Sequence, residues 1–205
     1  MSLDAVLEIR LRGIMQRESR DWHSEKSGAT LHKIGPETAA RVASLLLAAA
    51  RQHDVPLAYA MGAVCQESRF DPGAMNPNGF PGVVERTDWG LGQISGRNLV
   101  AMGVPPETAL SPEWSAPATC ARLRDLLNWV KVRFQSSDPF YVAAMAYNRG
   151  RTGAEIILTR RPRKGIRGYE TLLQVLAQEI KGRLHAGKVM VWTRKFRDEL
   201  GLASP

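Results

Sequence analysis

The stretch 56-PLAYAMGAVCQESRFDP-72 decides the fold prediction, because it joins an apolar segment to a carboxyl group. Between 56 and 68 the only charged residue is Glu67, and Asp71-Pro72-Gly73 supplies a break, so we predict a buried helix over about 56–68. Apolar residues lie three, four and seven positions before Glu67, on the same helix face. A carboxyl group packed against them is poorly solvated, so we expect a raised pKa for Glu67, as a general acid near neutral pH requires.

The triplet Glu-Ser-Arg occurs twice, at 18–20 and at 67–69. Arg17 and Arg20 flank Glu18, and cationic neighbours hold a carboxylate ionised, which makes it a poor acid. Glu18 also extends the apolar stripe of its own predicted helix, so local pattern favours Glu67 without excluding Glu18. Arg69 is interpreted as incidental.

Most of the chain shows helical periodicity, and few runs alternate with period two, so we predict a mainly α fold with a small irregular or β loop region at 71–90. Residues 1–35 are predicted to form an N-terminal helical extension, with a helix over 3–20 and a polar loop over 21–35. Residues 36–205 form the main domain. Its helices are predicted at 36–53, 56–68, 94–102, 115–135, 138–147 and 169–184, with another at 188–200.

The net charge of +8 favours an anionic partner but does not choose among nucleic acid, a membrane and an anionic polysaccharide. Cys65 and Cys120 lack a Cys-x-x-Cys spacing, and we predict two buried free thiols. The histidines show no metal-ligand spacing, so we expect no metal site and no cofactor. They are His23, His32, His53 and His185.

Three sequence blocks follow Glu67 in order, namely 70-FDP-72, 88-DWGLGQIS-95 and 144-AMAYNRG-150. Together they resemble the soluble lytic transglycosylase family, the branch of the lysozyme superfamily related to goose-type lysozyme. The resemblance covers about residues 40–182 and is closest to the short enzymes of phages and type IV secretion systems. It implies that 36–205 is a lysozyme-like catalytic domain that acts on bacterial peptidoglycan.

The resemblance also implies a reaction with a single catalytic acid, Glu67. Glu67 would protonate the β-1,4-glycosidic oxygen between N-acetylmuramic acid and N-acetylglucosamine, while the N-acetyl oxygen of the substrate stabilises the oxocarbenium-like centre. Glu67 would then take a proton from the 6-hydroxyl group, which closes a 1,6-anhydro ring without water. No cofactor is needed.

The resemblance implies further substrate-binding residues, next to Glu67, in the last two blocks and at a later tyrosine. They are Ser68, Gly90, Leu91, Gln93, Tyr147, Asn148 and Tyr169. Several have structural alternatives: the Ser68 hydroxyl group can satisfy the helix end, Gln93 can make a structural hydrogen bond, the Tyr147-Asn148 pair can cap a helix end, and Tyr169 can be a core residue. The family usually has methionine where this chain has Gly92, so its apolar contact with the sugar is missing or is supplied by Met145 or Trp89.

Two other functions remain open at this point. A goose-type lysozyme would hydrolyse the same bond with water held by further carboxylates, for which Glu85 and Asp88 are candidates, although neither falls at the matching position. A non-catalytic module that binds nucleic acid or the cell wall would use the basic run 160-RRPRKGIRG-168, which is otherwise a solvated loop. That run lacks a DNA-binding motif, so no nucleic-acid partner is expected.

The location of the protein is predicted from its N-terminus and its apolar runs. Charges interrupt the first apolar residues, which is not typical of a signal peptide, and no run is long enough to span a bilayer. We therefore expect a monomer that is made in the cytoplasm and acts on the wall in the periplasm. This favours a phage endolysin released through a holin, with a virion-associated or secretion-system enzyme as alternatives.

Overall fold

The computed structural model describes residues 3–136 and 138–203, and it confirms a mainly α fold. Within these ranges seven α-helices follow one another: α1 Leu3–Glu18, α2 Pro36–Gln52, α3 Leu57–Ser68, α4 Gly96–Ala101, α5 Pro112–Arg133, α6 Pro139–Thr159 and α7 Leu172–Leu200. Five two-residue strands complete the fold: β1 Trp22–His23, β2 Thr30–Leu31, β3 Met75–Asn76, β4 Asp88–Trp89 and β5 Ile94–Ser95. Two 3-10 turns cover Val84–Arg86 and Pro106–Leu110.

Helix α3 lies at the centre of the hydrophobic core, and most of its side chains are buried. Its closest neighbour is α7, which crosses it at Gly62. A Cβ atom at Gly62 would lie 2.8 Å from the carbonyl oxygen of Val189, so only glycine permits this approach. The close crossing brings the two helices into contact near the end of α3, where Glu67 lies.

The end of α3 and the middle of α6 both depart from helical geometry. Arg69 ends α3 in the left-handed conformation, with φ of 54°, and Phe70 follows with φ of 66°. Helix α6 breaks at Gly150, whose φ of 73° and ψ of 162° are accessible to glycine and costly for other residues. The chain therefore turns sharply directly after Glu67-Ser68 and directly after Asn148-Arg149.

The small sheet is antiparallel throughout, in the order β1-β2-β3-β4-β5. Thr30 of β2 pairs with Met75 of β3, so the N-terminal segment joins the same sheet as the loop after α3. Asp71 strengthens this junction, since its carboxylate accepts hydrogen bonds from the backbone N–H groups of His32 at 2.7 Å and Gly73 at 2.8 Å. Residues 21–35, predicted as a loop, thus contain two strands.

Several boundaries differ from prediction. Helix α7 runs without interruption from Leu172 to Leu200, and the separate helix predicted over 188–200 is its second half. Gly187 did not break it, because a glycine inside a helix costs only about 1 kcal/mol and tertiary packing outweighs that cost. Helix α1 packs against α2, and the division of the chain at residue 35 stays a prediction.

Two simpler predictions concern the cysteines and the membrane. Cys65 and Cys120 are both buried and free in the described part of the chain, as expected. Among the described helices, none is long and apolar enough to cross a membrane.

Candidate active site

Glu67 lies in the last turn of α3 and faces a groove of about 1170 Å³. Its side chain is 16% exposed, so the carboxyl group reaches the groove while its stem is enclosed by the core. The groove exceeds the size that a single drug-sized ligand usually needs, which fits an extended, polymeric substrate. Its walls come from the N-terminal segment, the sheet, the end of α3, the middle of α6 and one side of α7.

The electrostatic surroundings keep Glu67 protonated at neutral pH. Burial is the largest influence and the negative charge of Asp88 adds to it, while Arg122 acts in the opposite direction; together they raise the pKa of Glu67 to about 8. Desolvation therefore raises the pKa of Glu67, as the apolar residues on the same helix face predicted. A carboxylic acid with such a pKa can donate a proton near neutral pH.

Asp88 lies in the groove with Glu67, at β4. Its carboxylate accepts a 2.9 Å hydrogen bond from Nδ2 of Asn78, and burial raises its pKa. Glu85, the other acid considered from sequence, is exposed and is not among the residues that line the groove. The structure thus places Asp88 in the groove and leaves Glu85, three positions earlier in the chain, outside it.

Three of the predicted site residues line the groove together: Glu67, Gln93 and Asn148. The side-chain amide of Gln93 donates to the carbonyl oxygens of Ala74 at 3.1 Å and Gly90 at 3.0 Å, so it holds the loop together as well. Asn148 is exposed, and its side-chain oxygen accepts a 2.6 Å hydrogen bond from Nε of Arg149.

The other predicted residues are buried behind the groove wall. Ser68 donates a 3.2 Å hydrogen bond to the carbonyl oxygen of Val64, the helix-end role given above as its alternative. Leu91 is fully buried, and a side chain at Gly90 would collide with the carbonyl group of Ala109. These residues shape the loop from inside.

Two tyrosines have similar positions. Tyr147 is buried, and its hydroxyl group donates a 2.6 Å hydrogen bond to the carbonyl oxygen of Gly92. Tyr169 is also buried; its hydroxyl group lies against Gly153, and Arg149, which itself lines the groove, acts to lower its pKa against the larger effect of burial. Both tyrosines therefore support groove residues from behind.

Gly92, where the family usually has methionine, lies where the structure leaves no room for a side chain. A Cβ atom there would lie 2.7 Å from the Tyr147 hydroxyl oxygen and closer still to the hydroxyl group of Thr119. Neither proposed replacement for the missing methionine lines the groove: Met145 is fully buried, and Trp89 packs on the small cluster around Ile94.

The apolar groove surface comes from α7, through Leu184, Val191 and Trp192, and from the strands. Met75 of β3 and Trp22 of β1 line the groove with 39% and 45% of their surface exposed. Both were missed from sequence, because two-residue strands leave no periodic signal that would place β1 and β3 in one sheet, on either side of β2.

His185 of α7 was also missed. Its Nε2 lies 3.3 Å from Oε1 of Glu67. The two residues are far apart in the chain, and no local pattern marks a histidine that packs against a carboxyl group of another helix.

In the first Glu-Ser-Arg triplet, at 18–20, Glu18 has the ionised character that its cationic neighbours predicted. Burial acts to raise the pKa of Glu18, but hydrogen bonds from Lys195 at 2.8 Å and Arg17 at 2.9 Å outweigh it and lower the pKa. Arg69, interpreted as incidental, lines the groove and stacks over the ring of Trp192 at 4.5 Å.

The family comparison covers the part of the chain that carries most of these residues. The family model for the transglycosylase SLT domain matches residues 44–166, which include α3, the Gly-Leu-Gly-Gln loop and the Ala-Tyr-Asn block. No curated protein matches the sequence. Because the family model covers more than half of the chain, this protein belongs to the transglycosylase SLT family and is a peptidoglycan lytic transglycosylase, an enzyme that cleaves glycosidic bonds.

Proposed function

We propose that Glu67 acts as the single acid and base of the reaction, on the bond between N-acetylmuramic acid and N-acetylglucosamine. The observation that carries this proposal is a carboxyl group at the groove surface whose pKa is raised to about 8. Glu67 is protonated before the substrate is cleaved, as the first step needs.

The first step transfers the proton of Glu67 to the glycosidic oxygen and breaks the bond between that oxygen and C1 of the muramic acid. The N-acetyl oxygen of the same sugar attacks C1 and stabilises the positive charge. In the second step the 6-hydroxyl oxygen attacks C1, the N-acetyl oxygen leaves, and the hydroxyl proton returns to Glu67. Protons balance, and no water is consumed.

Substrate contacts in this proposal come from groove residues that can reach a sugar. Asn148 is exposed beside Arg149, and Gln93 borders the groove at the end of the glycine loop. Ser68, Gly90, Leu91, Tyr147 and Tyr169 act by holding these residues in place. A bound glycan would also contact Trp22 and Met75, because apolar and aromatic surface is typical of ligand sites.

Hydrolysis is the second candidate outcome, and the position of Asp88 favours it. A second carboxylate near the acid can hold and activate water, as inverting glycosidases do. Asp88 shares the groove with Glu67, whereas its sequence position had argued against such a role.

Mass spectrometry of the soluble fragments released from purified walls distinguishes the two outcomes. We expect 1,6-anhydromuramic acid ends. Products that are heavier by one water and carry reducing ends would show that the enzyme hydrolyses the bond instead.

The biological setting belongs to the same proposal. The blocks of this chain are similar to those of short phage enzymes, which supports an endolysin that acts as a monomer and meets the wall after a holin opens the inner membrane. Expression inside bacteria with and without a holin tests it. Lysis that needs the holin is expected, and lysis without one would contradict this route.

A further inference from the structure

His185 is a largely enclosed histidine whose buried Nε2 atom makes no hydrogen bond beside the catalytic acid. Its side chain is 11% exposed, and its Nε2 has no hydrogen-bond partner within the described residues. That atom lies 3.3 Å from Oε1 of Glu67, but without the alignment of a hydrogen bond. Catalytic hydrogen bonds are often long or misaligned before substrate binds and tighten in the complex.

The charges around the pair come from four elements. Asp88 on β4 and Arg122 on α5 act on Glu67, and Tyr147 on α6 lies close enough for its titration to be affected by Glu67. Burial lowers the pKa of His185 to about 4, and Arg149 on α6 and Lys188 on α7 act in the same direction. Near neutral pH His185 is therefore a neutral imidazole, with one N–H donor and one bare nitrogen.

The two tautomers of this imidazole have different consequences for Glu67. With the proton on Nε2, the ring donates to Oε1 of the neutral acid and donates more strongly once the acid becomes a carboxylate. With the proton on the other nitrogen, a lone pair would face the carboxylate as it forms. Only in the first tautomer does the hydrogen bond to Glu67 strengthen as the glycosidic oxygen takes the proton. An interaction that is stronger in the transition state than before it accelerates the chemical step.

We propose that His185 is a positioning residue that donates its Nε2–H to Oε1 of Glu67, so that Oε2 carries the catalytic proton towards the substrate. This proposal rests on the proposed function of Glu67 and adds the residue that decides which of its oxygens is acidic. His185 lies on α7, outside the matched range 44–166, so this contribution comes from a helix beyond the family core.

Two substitutions separate the hydrogen bond from the volume of the side chain. His185→Leu keeps apolar volume and removes the donor, whereas His185→Gln places an amide N–H near the position of Nε2. On soluble peptidoglycan fragments we expect His185→Leu to lower kcat roughly 100- to 1,000-fold with KM changed less than about twofold, as for loss of one hydrogen-bond donor to a developing charge. His185→Gln should recover most of this loss.

The pH profile gives the sign of the effect. Loss of a donor to the carboxylate raises the pKa of Glu67, so the basic limb of kcat/KM should move to higher pH in His185→Leu and return towards the parent position in His185→Gln. A limb that moves to lower pH, or a glutamine variant as impaired as the leucine variant, overturns the proposal. His53→Leu, at the end of α2, is the control and should match the parent enzyme.

Nitrogen NMR of the labelled protein reads the tautomer without any activity measurement. The signals of His185 are assigned by their disappearance in His185→Gln, and we expect the proton on Nε2 near pH 7. A proton on Nδ1 overturns the proposal even if the variants lose activity. The proposed function fails separately, if Glu67→Gln retains the parent rate.

Discussion

The hydroxyl group of Tyr147 donates a 2.6 Å hydrogen bond to the carbonyl oxygen of Gly92 and so joins the Ala-Tyr-Asn block to the Gly-Leu-Gly-Gln loop. Asn148 follows Tyr147, and Gln93 follows Gly92. One buried hydrogen bond therefore ties together the two segments that carry the groove residues Gln93 and Asn148.

Gly92→Ala is expected to destabilise the protein by about 1–3 kcal/mol, because an added methyl group would overpack the space held by Thr119 and Tyr147. Chemical denaturation measures the change. Gly13→Ala in α1 is the matched control, since its Cβ would meet no atom within 4 Å and alanine favours a helix. Equal stability of Gly92→Ala and the parent would contradict the close packing.

Glu67→Gln should lower wall lysis by at least roughly 100-fold, since the amide cannot donate the proton of general acid catalysis. In the parent, kcat/KM should fall as pH rises through about 8, where Glu67 loses its proton. Glu18→Gln is the matched control and should lyse walls at the parent rate. A Glu67→Gln variant that lyses walls normally would contradict the assignment of Glu67 as the catalytic acid.

Asp88→Asn should move the basic limb of kcat/KM to lower pH. The charge of Asp88 raises the pKa of Glu67, so its removal lets Glu67 ionise earlier. Glu85→Gln, an exposed acid outside the groove lining, should leave the limb in place. If Asp88→Asn abolishes the product altogether, Asp88 is a catalytic base and the hydrolytic outcome gains support.

Glu67→Gln should also be more stable than the parent at pH 8. A folded-state pKa raised from 4.5 to about 8 means that the folded protein keeps a proton that the unfolded chain releases, so this residue costs stability increasingly as pH rises from 4.5 to 8. Thermal unfolding at pH 5 and pH 8 should show an advantage of glutamine that is larger by roughly 3–4 kcal/mol at the higher pH, since each pH unit between the two pKa values costs about 1.4 kcal/mol. An advantage that shrinks as pH rises would contradict the raised pKa.

Met75→Ala should raise KM for peptidoglycan fragments a few-fold with kcat nearly unchanged, because the residue offers apolar surface in the groove but lies outside the proton transfer. Steady-state kinetics measures both values. Met102→Ala, similarly exposed but outside the groove lining, is the control. A fall in kcat alone would show that Met75 affects the chemical step instead.

The sequence by itself determined the mainly α class, the helix ending at Ser68 and the poor solvation of Glu67. These depend on local periodicity and on neighbours within two helical turns, which the chain order supplies directly. The order of the three blocks also predicted the family that the comparison confirmed.

Only the tertiary structure decided which distant groups surround the acid. His185 reaches Glu67 because α7 crosses α3 closely at Gly62, and Asp88 acts on it because β4 borders the same groove. Two short strands bring residues 22 and 75 into one wall. Such contacts depend on how helices and strands pack, and packing joins side chains that no spacing along the chain relates.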